Sequence, residues 1–385
     1  MSNFKKIIPI SNQILKKYSL CDNCLGRLFS KQLHLSSNKL LGKRLRENLH
    51  LSSKCYICKN LFDNLDHFLK LMLESSSEYS FSTFSVGVMI KPSIIDRDDS
   101  IRSKYKLKGI DSVKTDVTRE LGKLFYRKTK KSIDFLDPEV TFTLNLKEES
   151  CQTRSKSITL SGRYVKTLRG VPQKQKPCTN CSGKGCRVCN FHGITEFESV
   201  EGYISKFLFE KFGGTTTKFT WIGGEDQSSL VLGTGRPFFV KIQNPLKRGS
   251  KLSSVNLDWL KIHALKIVPE SPKHPLKFCS SVTVKISTES EINSQILKKL
   301  KDLTLQPVVV YEKSGKRSEK NILSVRYRKI SKNRFALIIR VEGGLPIKRF
   351  VSGDDVLPGI SQILDTQCKC DGFDFLDVEV YDDNK

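Results

Sequence analysis

Gly223-Gly-Glu-Asp-Gln-Ser-Ser-Leu-Val-Leu-Gly-Thr-Gly-Arg-Pro-Phe238 places one carboxylate, Asp226, on a glycine-flanked turn. Thr215 to Ile222 lead in as a strand, with Phe219 and Trp221 alternating. Leu230 to Ile242 lead out as another, interrupted by Gly233, Gly235 and Pro237. Glycines ahead of an acid permit backbone conformations that other residues resist, so the acid can project into a cleft. A bare Gly-Gly-Glu-Asp also fits an ordinary acidic turn. Glu225 is adjacent, but neighbouring side chains in an extended segment point to opposite faces, so only one of the two enters a pocket.

The chain around this turn has 385 residues, which suits two or three domains, and its 38% hydrophobic content supports real cores. Lys and Arg number 66 against 40 Asp and Glu, a net charge of +26. Such an excess calls for a polyanionic partner: nucleic acid first, an anionic membrane surface second. No apolar run approaches the ~18–20 residues that span a bilayer. The N-terminal Met-Ser-Asn-Phe-Lys-Lys-Ile-Ile-Pro has too short an apolar core for a secretory signal. The expectation is a cytoplasmic protein that binds nucleic acid and no membrane.

Eight of the twelve cysteines fall in Cys-x-x-Cys pairs. In a large cytosolic chain, paired cysteines point to metal and not to disulfides. Cys178, Cys181, Cys186 and Cys189 form two knuckles separated by four residues, with Gly183 and Gly185 easing the connector. Four thiolates suit tetrahedral zinc. Cys21, Cys24, Cys55 and Cys58 make a second set. Both sets look closed, with a scaffolding role; an iron–sulfur cluster uses the same ligands. His192 reads as a loop histidine, Cys151 and Cys279 as structural singles. Cys368 and Cys370 are spaced too tightly to form a site alone.

Along the chain, Asn38 to Leu49 reads as a basic helix, and Leu61, Leu65, Phe68 and Met72 repeat at helical spacing. Phe84 to Ile90 alternate as a strand, Val113 to Leu124 mark a helix, and Val140 to Leu146 alternate again, with Ile158 and Leu160 closing the set. Residues 151–195 hold nine Lys or Arg and no acid, including Arg163, Lys166 and Arg169. Such a run is either a solvated linker or a structured RNA-facing hinge. Beyond it, a helix carrying Val200, Tyr203, Ile204 and Phe207 stops at Gly213-Gly214. Leu257 to Leu265 looks helical, as does the segment of Ile292, Ile296, Leu300 and Leu303. Strands are expected at Val282 to Ile286, Val308 to Tyr311, Ile322 to Ile330, Phe335 to Val341 and Phe375 to Val380. The order implies an α+β architecture with a mixed sheet. No phosphate loop and no Gly-x-Gly-x-x-Gly fingerprint after a strand is present, which argues against a nucleotide cofactor.

The Asp226 turn, with Leu-Gly-x-Gly-Arg-Pro-Phe after it, resembles the catalytic loop of the Pus-ten family of tRNA pseudouridine synthases. A second block, Val341-Glu-Gly-Gly-Leu-Pro-Ile-Lys-Arg-Phe-Val-Ser-Gly-Asp354, is similar to that family's Glu-Gly-Gly-Leu-Tyr-Ile-Lys-Glu-Leu-Ile-Ser-Gly-Asp. The resemblance covers most of the chain. It implies Asp226 as nucleophile, Lys348 as its counter-ion, a THUMP-type RNA-binding domain, and an N-terminal four-cysteine zinc site. Three residues depart from the pattern. Gly224 stands for Arg, Pro346 for Tyr, and Val282, near Ser280-Ser-Val282, for the tyrosine of a Lys-Thr-Tyr motif. Tyr203, Tyr311, Tyr327 and Trp221 are available rings, each better suited to core packing.

The reading that follows is an α+β protein in four parts. Residues 1–60 form a zinc module, and 61–172 a THUMP-like RNA-binding domain. A basic hinge with a zinc knuckle spans 173–195. The catalytic domain, 196–385, has the pseudouridine synthase fold, a mixed, largely antiparallel sheet with flanking helices. The expected enzyme is an isomerase acting on uridine 54, uridine 55 or both in the TΨC arm of tRNA. It needs no cofactor for catalysis, carries two structural zinc ions, and is a monomer. Arg163, Lys166, Arg169 and Arg236 are the expected RNA contacts. The rival reading is a catalytically silent tRNA-binding protein or chaperone on the same fold.

Overall fold

The computed structural model describes residues 2–30, 37–46, 54–107, 111–249, 252–312 and 314–381. It divides into two units, Met1–Lys156 and Ser157–Lys385. No helix among the described residues is long and apolar enough to cross a membrane.

The first unit contains helices α1 (Ser2–Lys17), α2 (Asp22–Arg27), α3 (Asn38–Arg46), α4 (Leu65–Ser75), α5 (Pro92–Lys104) and α6 (Val113–Thr129). The basic helix expected from Asn38 is present to Arg46; residues 47–49 lie outside the described ones. Strands β1 (Thr83–Met89), β2 (Ser132–Ile133), β3 (Val140–Asn145) and β4 (Ser150–Ser155) form a sheet in the order β2-β1-β3-β4. Alternation puts Phe84, Val86 and Val88 on one face with Val140, Phe142 and Leu144, and all are buried. Helix α6 starts on Ser112, whose hydroxyl accepts from the Thr115 amide. Its residues Val117, Leu121 and Phe125 recur four apart and are buried. The Phe125 ring meets Phe84 and Phe142 at centroid distances of 4.8 and 4.9 Å.

The second unit begins with β5 (Ile158–Lys166). This strand pairs along its length with β7 (Leu230–Ile242) on one side and β9 (Leu260–Val268) on the other. Ile158 and Leu160 therefore close the larger sheet and not the N-terminal one, and the domain boundary expected after 172 falls between 156 and 157. Alternation shows only that a strand is half-buried. Which sheet it joins is decided by long-range pairing.

Strands β6 (Thr217–Trp221), β8 (Val255–Leu257), β10 (Phe278–Thr288), β13 (Ile322–Ser331), β14 (Arg334–Glu342) and β16 (Cys368–Val380) complete a nine-stranded sheet. The small strands β11 (Val308–Tyr311), β12 (Arg317–Lys320) and β15 (Val356–Leu357) form a separate one. The large sheet runs β13-β14-β10-β16-β7-β5-β9-β8, with β6 beside β7. All its pairings are antiparallel except β16 with β7. Register aligns Val282 with Ile339 and Phe375, and Val284 with Leu337 and Phe373, which makes continuous apolar rows.

Those rows are part of one hydrophobic core with helices α7 (Val200–Phe212), α8 (Ser294–Lys298), α9 (Ile347–Ser352) and α10 (Ile360–Leu364). Helix α7 ends at Gly213 in the left-handed conformation, φ 66°. The helix expected over Leu257 to Leu265 is instead β8, a two-residue turn and β9. Leu260 and Ile262 are buried two apart, the strand period, and they pair with β5.

Candidate active site

Strands β6 and β7 carry the Asp226 turn between them. Gly223 has φ 74°, and a Cβ there would lie 2.5 Å from the Phe278 ring and 2.8 Å from Arg236 Nη1. Only glycine fits that conformation at that distance. The turn then closes on itself. Ser228 donates to Asp226 Oδ1 through its amide at 2.9 Å and its hydroxyl at 2.6 Å, and the Ser229 amide donates to Asp226 O at 3.0 Å. These bonds make an Asx turn. The other carboxylate oxygen, Oδ2, accepts from Lys348 Nζ at 2.8 Å. Lys348 is the second residue of α9, so the two blocks singled out in the sequence meet here, 122 positions apart.

Partial burial pushes the Asp226 carboxyl up, and hydrogen bonds from Lys348 and Ser228 outweigh it, holding the pKa at about 2. Asp226 is therefore ionised at neutral pH, and its side chain is 31% exposed. Glu225 turns the other way. Its side chain is fully buried, with Lys166 Nζ 3.0 Å from Oε1 and Arg236 Nε 3.9 Å from Oε2.

A cleft of about 600 Å³ opens beside the turn, walled by Gly223, Gly224, Phe278, Val341, Gly343 and Phe375. Phe278 is its principal ring. Cβ atoms at Gly223 and Gly343 would both strike that ring, so the phenyl is held between two glycines. Val282, where the motif's tyrosine is expected to be replaced, also lines the cleft but has no accessible surface. Sequence reasoning misses Phe278, although Lys277 beside it could anchor the Lys-Thr-Tyr comparison within one residue. Tyr381 adds a phenol to the lining. Tyr203, Tyr311, Tyr327 and Trp221 do not line it; Trp221 stacks on Phe219 at 4.8 Å and Tyr203 packs edge-on to Trp259 at 5.0 Å. A Cβ at Gly224 would meet nothing within 4 Å, so the missing arginine of the motif leaves open space.

The expected RNA contacts need correction. Lys166 and Arg236 have no accessible surface, because both side chains are drawn inward to Glu225. Arg236 also donates to Ile222 O at 2.8 Å and lies 4.3 Å above the Phe375 ring. Arg163 donates to Thr234 O and Gly235 O at 2.7 and 2.8 Å. Arg169 bonds Ser228 O at 2.6 Å and Asp374 at 2.7 Å, bracing the Asp226 turn. These two are partly exposed and already engaged within the fold.

The eight expected cysteines form two clusters. In each, the four Sγ atoms lie within 4.8 Å of one another. Separations of 3.6 Å (Cys21–Cys58), 3.9 Å (Cys181–Cys189) and 3.7 Å (Cys186–Cys189) approach the edge of a ZnS₄ tetrahedron, about 3.8 Å for 2.3 Å bonds. Amides of Gly185, Cys186 and Gly193 donate to sulfur at 3.2–3.3 Å, the outer support a thiolate needs. Both sets can hold a metal ion. His192 stacks on Phe209 at 3.9 Å and its Nδ1 faces Thr215 O, away from that role.

Residues 159–379 match the model of the Pus10 C-terminal domain, and residues 68–145 that of the archaeal Pus10 THUMP domain. A protein of Nitrosopumilus maritimus called tRNA pseudouridine synthase Pus10 is 69% identical over 380 residues, covering 99% of this chain and all of that one. This chain belongs to the Pus10 family. A Pus10 of Cenarchaeum symbiosum with the same name is 38% identical across 94% of this chain and 90% of its own. Among solved structures, a Cbf5–Nop10–Gar1 complex aligns over 56% of this chain and 48% of that one. Its 9% identity and TM-score of 0.31 add nothing to the assignment. Membership in Pus10 makes the α+β plan, with a THUMP region and a C-terminal catalytic-type domain, the family's own.

Proposed function

We propose that this chain isomerises uridine 54, uridine 55 or both in the TΨC arm of tRNA, with Asp226 as the nucleophile. The carrying observation is the ion pair of Asp226 with Lys348, 2.8 Å apart, beside a ring-floored cleft. The name its relatives bear supports the tRNA substrate and the reaction. In the reaction the N1–C1′ bond breaks, a C5–C1′ bond forms, C5 loses a proton and N1 gains one. Nothing is oxidised or reduced, so no cofactor enters. Asp226 supplies the carboxylate that attacks sugar or base. Lys348 keeps it ionised, and Phe278 gives the flipped base a face to stack on. Zinc is assigned to both cysteine clusters, as scaffold.

The test is incubation with an unmodified tRNA transcript, followed by carbodiimide primer extension. Stops one nucleotide 3′ of position 54, of position 55 or of both are expected. Tight binding with no stops on several tRNAs would turn the reading to a chaperone on the same fold.

Lys348→Met tests the counter-ion. A depressed pKa means the carboxylate survives down to about pH 2 and is lost only below it. Removing the ammonium deletes the main lowering influence while burial still pushes up, so the acid limb of the pH–rate profile moves to higher pH. An acid limb unmoved by the substitution would remove Lys348 from this role.

Phosphate binding in the basic stretch passes to the exposed cations on and before the second cysteine cluster, Lys174, Lys176, Lys184 and Arg187. Neutralising all four is expected to weaken tRNA binding and to lower the salt slope by about 0.9 for each phosphate left unpaired. Neutralising Arg163 and Arg169 should leave that slope nearly unchanged, since both are engaged within the fold.

A further inference from the structure

Directly behind Asp226 sit three charged side chains with no accessible surface: Lys166 from β5, Glu225 from the turn and Arg236 from β7. Two cations surround one anion. Neither Glu225 oxygen receives a well-formed hydrogen bond, and Arg236 Nε and Nη2 donate none. Well-packed apolar residues of similar volume would often serve stability as well or better. The cluster's remaining contacts converge on the same short stretch of backbone. Arg236 Nη1 holds Ile222 O at 2.8 Å, and Gln173 Nε2 reaches Gly223 O at 3.4 Å while donating to Tyr164 at 3.0 Å. Lys166 is itself fixed by Val171 O at 3.0 Å.

The turn needs this restraint. Gly223 is required for its approach to Phe278, and Gly224 has open space around it, so the two residues before the acids supply little stiffness. The Glu225 side chain meets Lys166 and Arg236 while that of Asp226 meets Lys348. Locking Glu225 into the sheet therefore fixes where Asp226 points.

We propose that Glu225 is a positioning residue for the reaction, its buried carboxylate paired with Lys166 and Arg236 so that Asp226 faces Lys348 next to the cleft. The inference rests on the assignment of Asp226 as nucleophile. Its test compares Glu225→Gln with the double variant Glu225→Gln/Lys166→Met, counting kcat per tRNA-bound site so that partial unfolding does not enter. Glu225→Gln strands a buried ammonium and should lower Tm. It should also lower kcat about a hundredfold, the scale of an ångström's misplacement, with KM and tRNA Kd unchanged. The double variant removes that ammonium, leaves Arg236 as the one buried cation, and should regain part of the lost Tm. Its kcat should stay low, because the tether is still missing.

Recovery of kcat together with Tm would reduce Glu225 to a structural role and overturn the proposal. So would a wild-type kcat in Glu225→Gln. Asp226→Asn measured in parallel separates the two readings. If it is active, the nucleophile assignment has failed. If it is inactive while the Glu225 variants run at the wild-type rate, only the positioning role has.

Discussion

Asp226→Asn is expected to abolish turnover, by about ten-thousandfold or more, and to leave tRNA affinity within about twofold of wild type. The amide keeps the size and planarity of the carboxylate, and Oδ1 can still accept from Ser228. What disappears is the negative charge proposed to attack, which the Lys348 ammonium faces at 2.8 Å. Binding is expected to hold because the cations proposed to meet phosphate lie elsewhere and Asp226 is one small, partly exposed group. The comparison is single-turnover pseudouridine formation against filter binding with the same transcript. Pseudouridine made at the wild-type rate by Asp226→Asn would move the chemistry to another group, and among the described residues no second carboxylate has a comparable setting. Glu225 is sealed away from the cleft, and Asp374 already receives the Leu230 amide and Arg169.

Residues 223–226 show why this site is legible in the sequence and its surroundings are not. A glycine turn bearing an acid between two alternating strands is a local pattern, and so is the Glu-Gly-Gly-Leu-Pro-Ile-Lys block. Each can be read within a dozen residues. Their meeting requires the parallel pairing of β16 with β7 and the path of β16 beside α9, which no local periodicity contains. Lys166 illustrates the limit. In the sequence it is one cation among nine in an acid-free stretch, and a surface role follows from its type. In the fold it is drawn under Glu225, 59 positions away, and loses all exposure. The segment at 257–265 misleads for another reason. Two short strands and a tight turn place Leu257, Leu260 and Ile262 at intervals that mimic a helix, and only pairing with β5 settles the period. Phe278 escapes because a phenylalanine at a strand's start reads as core until the glycines on either side are brought to it.

Metal removal is expected to act on the two cysteine clusters unequally. Elemental analysis of fresh protein should give two zinc ions per chain, one for each cluster. Cys24, Cys55 and Cys58 belong to the first unit's hydrophobic core, beside Leu20, Leu25 and Ile57, all with 1% exposure or less. Metal there joins α2 to the segment at 55–58, and the apparent binding energy of a structural zinc site, about 10–16 kcal/mol, exceeds what a small unit holds in reserve. Cys24→Ser should therefore cost one zinc and the cooperative unfolding transition of the first unit. The second cluster stands outside both hydrophobic cores, with Val188 and Phe191 exposed beside it. Cys181→Ser should cost one zinc and loosen residues 178–193 to proteases while the nine-stranded sheet melts as before. In Cys181→Ser the chemical step on bound tRNA should be unchanged, since no cysteine of either cluster lines the cleft or the cavity at Lys348. One zinc ion in the wild type, with the same content and an intact first transition in Cys24→Ser, would show that the buried thiols pack as an apolar cluster and hold no metal.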